Sequence, residues 1–253
     1  MFQGEKVFQG VRPIKYLLQP ASTVSKFLVV VFSGFPNIGK PPVYNYVKTL
    51  EEFDCNKLFI LDNLNHTHSS GATYYLGING DHSIEMSVVS LITKIANELG
   101  VLHENIICAG SSKGGFASLY FGIKYSFGYV ISGGAQTRLG EYLAYQPAET
   151  KYILSFITGN FEEGRKYLNN LLFDVVKSSQ RQPKIYIHVG KGDHHYKGHI
   201  IPLTNLFDEL NIEYELDVAD YQEHAQLGEF FAPYLKEKME KILNNTDVTL
   251  LRA

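Results

Sequence analysis

Residues Lys26–Phe32 read KFLVVVF, with apolar side chains at successive positions and no polar alternation. A strand with one wet face alternates apolar with polar residues. A continuous Val-rich run belongs to a strand covered on both faces, as in a parallel sheet between two helical layers. Lys57–Leu61 (KLFIL), Asn105–Ala109, Phe127–Ile131, Lys184–Val189 and Glu213–Val218 read as further strands. Helical stretches alternate with them. Ser83–Leu99 places Ile84, Val88, Leu91, Ile92 and Ile95 on one face, with Ser83 as the expected N-cap and Gly100 as the stop. Gly114–Tyr125, Ile200–Leu210 and Leu227–Leu243 are the other main helices. This order predicts a mostly parallel central sheet with helices on both faces. The segment 135–183 is long, mainly helical and lies between two strands, so it is expected to form a helical cap insertion. No repeat, low-complexity tract or linker divides the chain, and 1–253 is expected to be one domain.

The bulk numbers exclude several classes. A net charge of −3 over 253 residues gives no basic field to attract nucleic acid. No window approaches the ~18 apolar residues of a membrane span, so no integral membrane segment is expected. The N-terminal MFQGEKVFQGVRPIKYLL has neither an apolar core nor a cleavage site of signal-peptide type. Cys55 and Cys108 lack metal spacing and lie beside apolar stretches; buried free thiols and a reducing, cytoplasmic setting are expected. Asn65-His66-Thr67 and Asn244-Asn245-Thr246 match a glycosylation sequon, taken as chance without a secretion signal. The 17 Tyr and 16 Phe residues suit either a ligand cleft or core filling.

The motif richest in chemistry is Gly110-Ser111-Ser112-Lys113-Gly114-Gly115. It follows a strand, opens a helix and fits G-x-S-x-G with Ser112 at its centre, the nucleophile elbow of the α/β-hydrolase fold. A serine hydroxyl attacks only when a base removes its proton, and the base is a histidine oriented by a carboxylate. In this fold the chain order is serine, acid, histidine. Asp193 lies just past a strand, where sites of open α/β sheets collect. His224 follows the next strand. Ser112, Asp193 and His224 are therefore the expected triad, with Ser111 as a lesser nucleophile and Asp217 and Asp220 as rival acids. The expected oxyanion donors are Lys113 N–H and the N–H of Gly34 or Phe35. His194, His195 and His199 cluster, but without a carboxylate-rich partner set, so no metal is expected; His194 and His195 are expected to touch substrate. Gly34–Pro41 (GFPNIGKP) matches seven positions of a phosphate-binding loop, yet Pro41 stands where a magnesium-binding hydroxyl is needed.

GSSKGG followed by Phe116–Gly122 (FASLYFG) resembles bacterial capsular polysaccharide biosynthesis proteins of the XcbB/CpsF-like group, which is related to capsule and glycan O-acetyltransferases. Gly71–Gly77 (GATYYLG), the Phe32–Phe35 turn and Gly190–Tyr196 (GKGDHHY) fit the same resemblance, which covers roughly 27–230. The resemblance implies transfer of an acetyl group from acetyl-CoA to a polysaccharide or glycan acceptor. Ser112 would carry the acetyl group, His224 would relay protons, and Tyr74 and Tyr75 would meet substrate. It also implies work beside a capsule-synthesis or secretion complex, peripheral to the inner membrane. Lys113, Arg138, Lys191 and Lys197 are candidate contacts for the coenzyme phosphates. Two alternatives stay open on the residues alone: a serine esterase or carbohydrate deacetylase, and a non-catalytic glycan- or partner-binding module.

Overall fold

The computed structural model describes residues 2–36, 40–64, 72–145 and 148–244. Both sequons, the middle of the Gly34–Pro41 loop and Gly71 lie wholly or partly outside them. The strands are β1 (Lys6–Gln9), β2 (Pro13–Gln19), β3 (Leu28–Phe32), β4 (Asn56–Leu61), β5 (Ile106–Ser111), β6 (Tyr129–Gly133), β7 (Lys184–Gly190) and β8 (Tyr214–Ala219). The helices are α1 (Ser83–Leu99), α2 (Lys113–Lys124), α3 (Leu139–Tyr145), α4 (Ala148–Thr158), α5 (Phe161–Ser178), α6 (Ile201–Glu209) and α7 (Leu227–Asn244).

The strands form one sheet in the order β1-β2-β4-β3-β5-β6-β7-β8. From β4 to β8 every pairing is parallel. The run Leu28–Phe32 explains the two-sided core. Leu28, Val30 and Phe32 enter the cluster under α1 and α2, while Val29 and Val31 enter the cluster under α7. All five are at most 1% exposed. The continuous apolar pattern thus follows from burial on both faces.

Two elements depart from the sequence expectation. β1 and β2 were not foreseen. They pair with each other and with β4 in antiparallel fashion at the sheet edge. Pro13 and Lys15 interrupt the apolar run of β2, and only Ile14 and Leu17 are fully buried, so the edge leaves a weak pattern. Ser83 is not the N-cap of α1. His82 holds that place in a left-handed conformation, and Asp81 Oδ1 accepts from Ser83 N (2.9 Å), Ser83 Oγ (2.8 Å) and Ile78 N (2.9 Å).

The insertion between β6 and β7 has two jobs. α5 packs along α2 and so belongs to the layer over the sheet. α3 brings Tyr142 edge-on to His195 and His199, beside the carboxyl ends of the strands. α3 and α5 approach so closely at Gly140 that an added Cβ would lie 1.9 Å from Arg165 O. Gly140→Ala is expected to force the two helices apart and cost about 1–3 kcal/mol. The measurement is the urea midpoint at unchanged m-value; a midpoint equal to wild type would remove this contact as the anchor of the insertion.

Candidate active site

β3 pairs with β4 on one side and with β5 on the other, so the chain reverses its winding direction between β3 and β5. A crevice opens at such a point beyond the carboxyl ends of the strands. Ser112 stands there, between the end of β5 and the start of α2, with φ 54° and ψ −119°. This conformation costs a non-glycine residue on the order of 1–3 kcal/mol and persists only where surroundings enforce it. Ser112 N donates to Gly133 O at 2.7 Å, and Ser112 O accepts from Phe116 N at 3.1 Å. The flanking glycines are needed sterically. A Cβ on Gly114 would sit 2.3 Å from Phe32 O, and one on Gly110 would sit 2.5 Å from Gly114 O.

The turn presents Ser112 Oγ to His224, whose Nε2 lies 2.9 Å away. His224 Nδ1 lies 2.8 Å from Asp193 Oδ2. Asp193 Oδ1 accepts from His195 N at 2.9 Å, so both carboxylate oxygens are engaged. Burial opposes the Asp193 charge, but the hydrogen bond and charge of His224, with the His195 amide, outweigh it and hold its pKa below the ordinary value. The ring of His224 keeps 24% side-chain exposure, whereas Asp193 has none. The arrangement can pass a proton from serine to imidazole while a dry carboxylate fixes the tautomer.

The rival residues have other partners. Ser111 Oγ is 2.5 Å from Tyr46 OH. Asp217 Oδ2 is 2.6 Å from His188 Nδ1, on the α7 face of the sheet. Asp220 is exposed. The ligand atoms of Asp193, His195 and His224 lie within 4.8 Å of one another. The hydrogen bond between His224 and Asp193 and that from His195 N account for this proximity.

Around Ser112 the polar groups are more committed than the sequence suggested. Gly34 N donates to Asn45 Oδ1 at 2.8 Å, which leaves Phe35 N–H as the free amide of that turn among the described residues. The loop passes close to the end of β5: a Cβ on Gly34 would lie 3.8 Å from Ser111 O. Lys113 N–H is in the first turn of α2, where it has no intrahelical acceptor. The Lys113 side chain is fully buried, with Nζ 2.8 Å from Asp62 Oδ2. Burial pulls its pKa down and Asp62 pulls it back. It cannot reach a coenzyme phosphate. Arg138 is half-buried, and Lys191 and Lys197 are exposed.

Tyr74 and Tyr75 are buried and so are not surface contacts for a substrate. Tyr75 OH accepts from Ser33 N (2.6 Å) and donates to Ile60 O (3.0 Å), tying the ends of β3 and β4 together. His194 is exposed, but His195 is fully buried, with Nδ1 2.9 Å from Gly134 O and its ring 3.9 Å from that of His224. Burial first, then the neighbouring His224, keeps the His195 imidazole neutral. Sequence reasoning missed Gln136, Asn45 and Asp62. Gln136 Nε2 donates to Ser112 Oγ at 2.7 Å. None of the three stands in a motif; each is a polar residue in a loop.

No protein-family model matches this sequence, and no curated protein does either. Solved structures do match in shape. The capsule O-acetyltransferase of Neisseria meningitidis serogroup A superposes with a TM-score of 0.79 at 23% identity, over 93% of each chain. A further structure of that enzyme, a mutant in complex with CoA, gives 0.77 at 22% identity, over 93% of this chain and 95% of that one. A fluorophosphonate-binding serine hydrolase of Staphylococcus aureus gives 0.71 at 15% identity, over 95% of this chain and 97% of that one. The chain has the α/β-hydrolase fold. A chain of the glycosylation-associate protein complex of Streptococcus agalactiae matches at 0.75 and 18% identity, over 94% of this chain but 47% of its own length.

The buried Asp62–Lys113 pair supports the elbow from below, because Asp62 Oδ1 and Oδ2 also accept from Thr73 Oγ1 (2.7 Å) and Thr73 N (2.8 Å). Asp62→Asn strands the Lys113 ammonium without a counter-charge. The expected loss is about 3–5 kcal/mol, measured by urea unfolding. A variant as stable as wild type would mean that the pair does not brace the site.

Proposed function

We propose that this chain is a serine O-acetyltransferase that moves an acetyl group from acetyl-CoA to a hydroxyl of a bacterial polysaccharide or glycan. The observation that carries the reading is the continuous hydrogen-bonded chain from Asp193 through His224 to Ser112 Oγ, at a strained strand-to-helix turn. In this mechanism His224 Nε2 takes the Ser112 proton as Oγ attacks the thioester carbonyl. Phe35 N–H and Lys113 N–H donate to the oxyanion, and the N-terminus of α2 adds its partial positive charge. The carbon–sulfur bond breaks and the leaving thiolate takes the proton from His224. An acceptor hydroxyl then gives its proton to His224 as its oxygen bonds to the acyl carbon, the bond from that carbon to Ser112 Oγ breaks, and Oγ takes the proton back from His224.

Three observations favour transfer to a glycan over general ester hydrolysis. The capsule O-acetyltransferase matches over nearly the whole length of both chains, one of its structures holds CoA, and GSSKGG with its following segment resembles capsule-biosynthesis proteins. The second reading, a serine esterase or carbohydrate deacetylase, draws on the serine hydrolase neighbour and uses the same three residues. A binding module that keeps the fold without the chemistry has no use for an aligned triad. On this reading the protein works in the cytoplasm, where acetyl-CoA is found, and the buried free thiols of Cys55 and Cys108 are compatible with that setting. No helix among the described residues is long and apolar enough to cross a membrane, so work at a membrane-bound capsule or secretion assembly would be peripheral.

Intact-mass spectrometry after incubation with acetyl-CoA tests the reading. Wild type is expected to gain one acetyl group, absent from Ser112→Ala and discharged faster by bacterial polysaccharide than by water. Labelling of Ser112 by a fluorophosphonate with no acetyl adduct would favour the hydrolase, and silence in both would remove serine chemistry. The acid is tested separately. Asp193→Asn is expected to lower the acylation rate about 10²–10⁴-fold, while Asp217→Asn leaves it near wild type. The reverse order would assign the acid to Asp217.

A further inference from the structure

Ser112 Oγ has a second polar partner that the triad does not require. Gln136 lies on the loop after β6, is fully buried, and donates from Nε2 to Ser112 Oγ at 2.7 Å. Its Oε1 accepts from Tyr74 OH at 3.5 Å. Tyr74 is buried edge-on between Phe35 and Phe116, so packing on both sides keeps the amide beside the nucleophile and away from water.

In the free enzyme this amide has a good acceptor, the serine hydroxyl. Once Oγ carries an acyl group it is an ester oxygen, a much poorer acceptor. The Gln136 N–H is then a buried donor without an adequate partner, an arrangement that is costly inside a protein. Departure of Oγ restores the acceptor. The attacking hydroxyl brings its oxygen to the carbon bonded to Oγ while its proton faces His224 Nε2, itself 2.9 Å from Oγ. As the bond to that carbon breaks, Oγ again becomes a strong acceptor for Gln136 Nε2.

We propose that Gln136 is a catalytic residue of the second half-reaction, donating a hydrogen bond to Ser112 Oγ as it leaves the acyl carbon. The proposal rests on acylation of Ser112. In the step, the acceptor O–H bond breaks and its proton passes to His224 Nε2. The acceptor oxygen bonds to the acyl carbon and the bond from that carbon to Oγ breaks. Oγ then recovers a proton from His224, and the Gln136 donor returns to it. The departing Oγ gains negative charge as its bond breaks, so the returning hydrogen bond is stronger in that transition state than in the acyl-enzyme, which is the condition for it to raise the rate.

The test uses the full chain, p-nitrophenyl acetate as acyl donor, and water or added glycerol as acceptor, with acetyl-Ser112 followed by intact mass. Gln136→Leu is expected to load the acetyl group and to discharge it at least about tenfold more slowly than wild type with either acceptor. Gln136→Glu supplies the second readout. A protonated carboxyl can donate and a carboxylate cannot, so its discharge rate relative to wild type is expected to rise as pH falls. A purely structural role would not produce that recovery. Discharge of Gln136→Leu at the wild-type rate overturns the proposal, as does slowed loading with unchanged discharge. If Gln136→Leu does not fold, a ratio of Gln136→Glu to wild type that is flat with pH overturns it. No acetyl group on wild-type Ser112 overturns the acyl-transfer reading instead.

Discussion

The backbone at Ser112 is the constraint on which the site depends. A residue with a side chain is held at φ 54° because Ser112 N–H must meet Gly133 O, and because α2 must start at once to pack on β3 and β6. Gly114 lies against Phe32 O and Gly115 against Gly133 O, with no room for a Cβ at either place. The strain is supported by a dry layer beneath it. Lys113 and Asp62 pair without water, and Asp62 binds Thr73, so the ends of β4 and α2 are locked together. Taking two charges out of water is expensive unless their remaining hydrogen-bonding capacity is met. Here Thr73 helps to meet it for the carboxylate, and the rings of Tyr75 and Phe35 face the ammonium.

Around this turn Asp193 and His224 come from two other strand ends. β7 delivers Asp193 and β8 leads to His224. The two loops are joined by Gly192 N–H donating to Tyr221 O at 3.0 Å. His195 connects this side to the loop after β6 through Gly134 O, and its neutral ring packs against His224. Burial keeps His195 uncharged, and the pKa of His199 behind it is likewise pulled down, to about 4, chiefly by burial.

Much of this was legible in the residue order. The strands β3 to β7 could be read because burial on both faces removes polar alternation. Ser112 could be read because the turn tolerates only small residues at fixed offsets. Asp193 follows a strand end and meets His224, whereas Asp217 lies within β8 and meets His188. Misreadings came where burial decides the role. Tyr74 and Tyr75 carry hydroxyls and aromatic faces that suit a glycan, yet both are packed inside. Lys113 carries a charge that suits a phosphate, yet it is sealed under the turn.

The sequence by itself determined the parallel core, the elbow and the placing of Ser112, Asp193 and His224 after successive strands, since each is written in local periodicity or spacing. Only the tertiary structure decided which groups meet. Gln136 reaches Ser112 across 24 positions of chain, and Asn45 Oδ1 accepts from the Gly34 amide. The antiparallel edge of β1 and β2 also belongs to that level, because a strand exposed on one side needs few apolar residues. Hydrogen bonds between residues distant in sequence leave no periodic mark, so they became visible only once the sheet had brought the loop ends together.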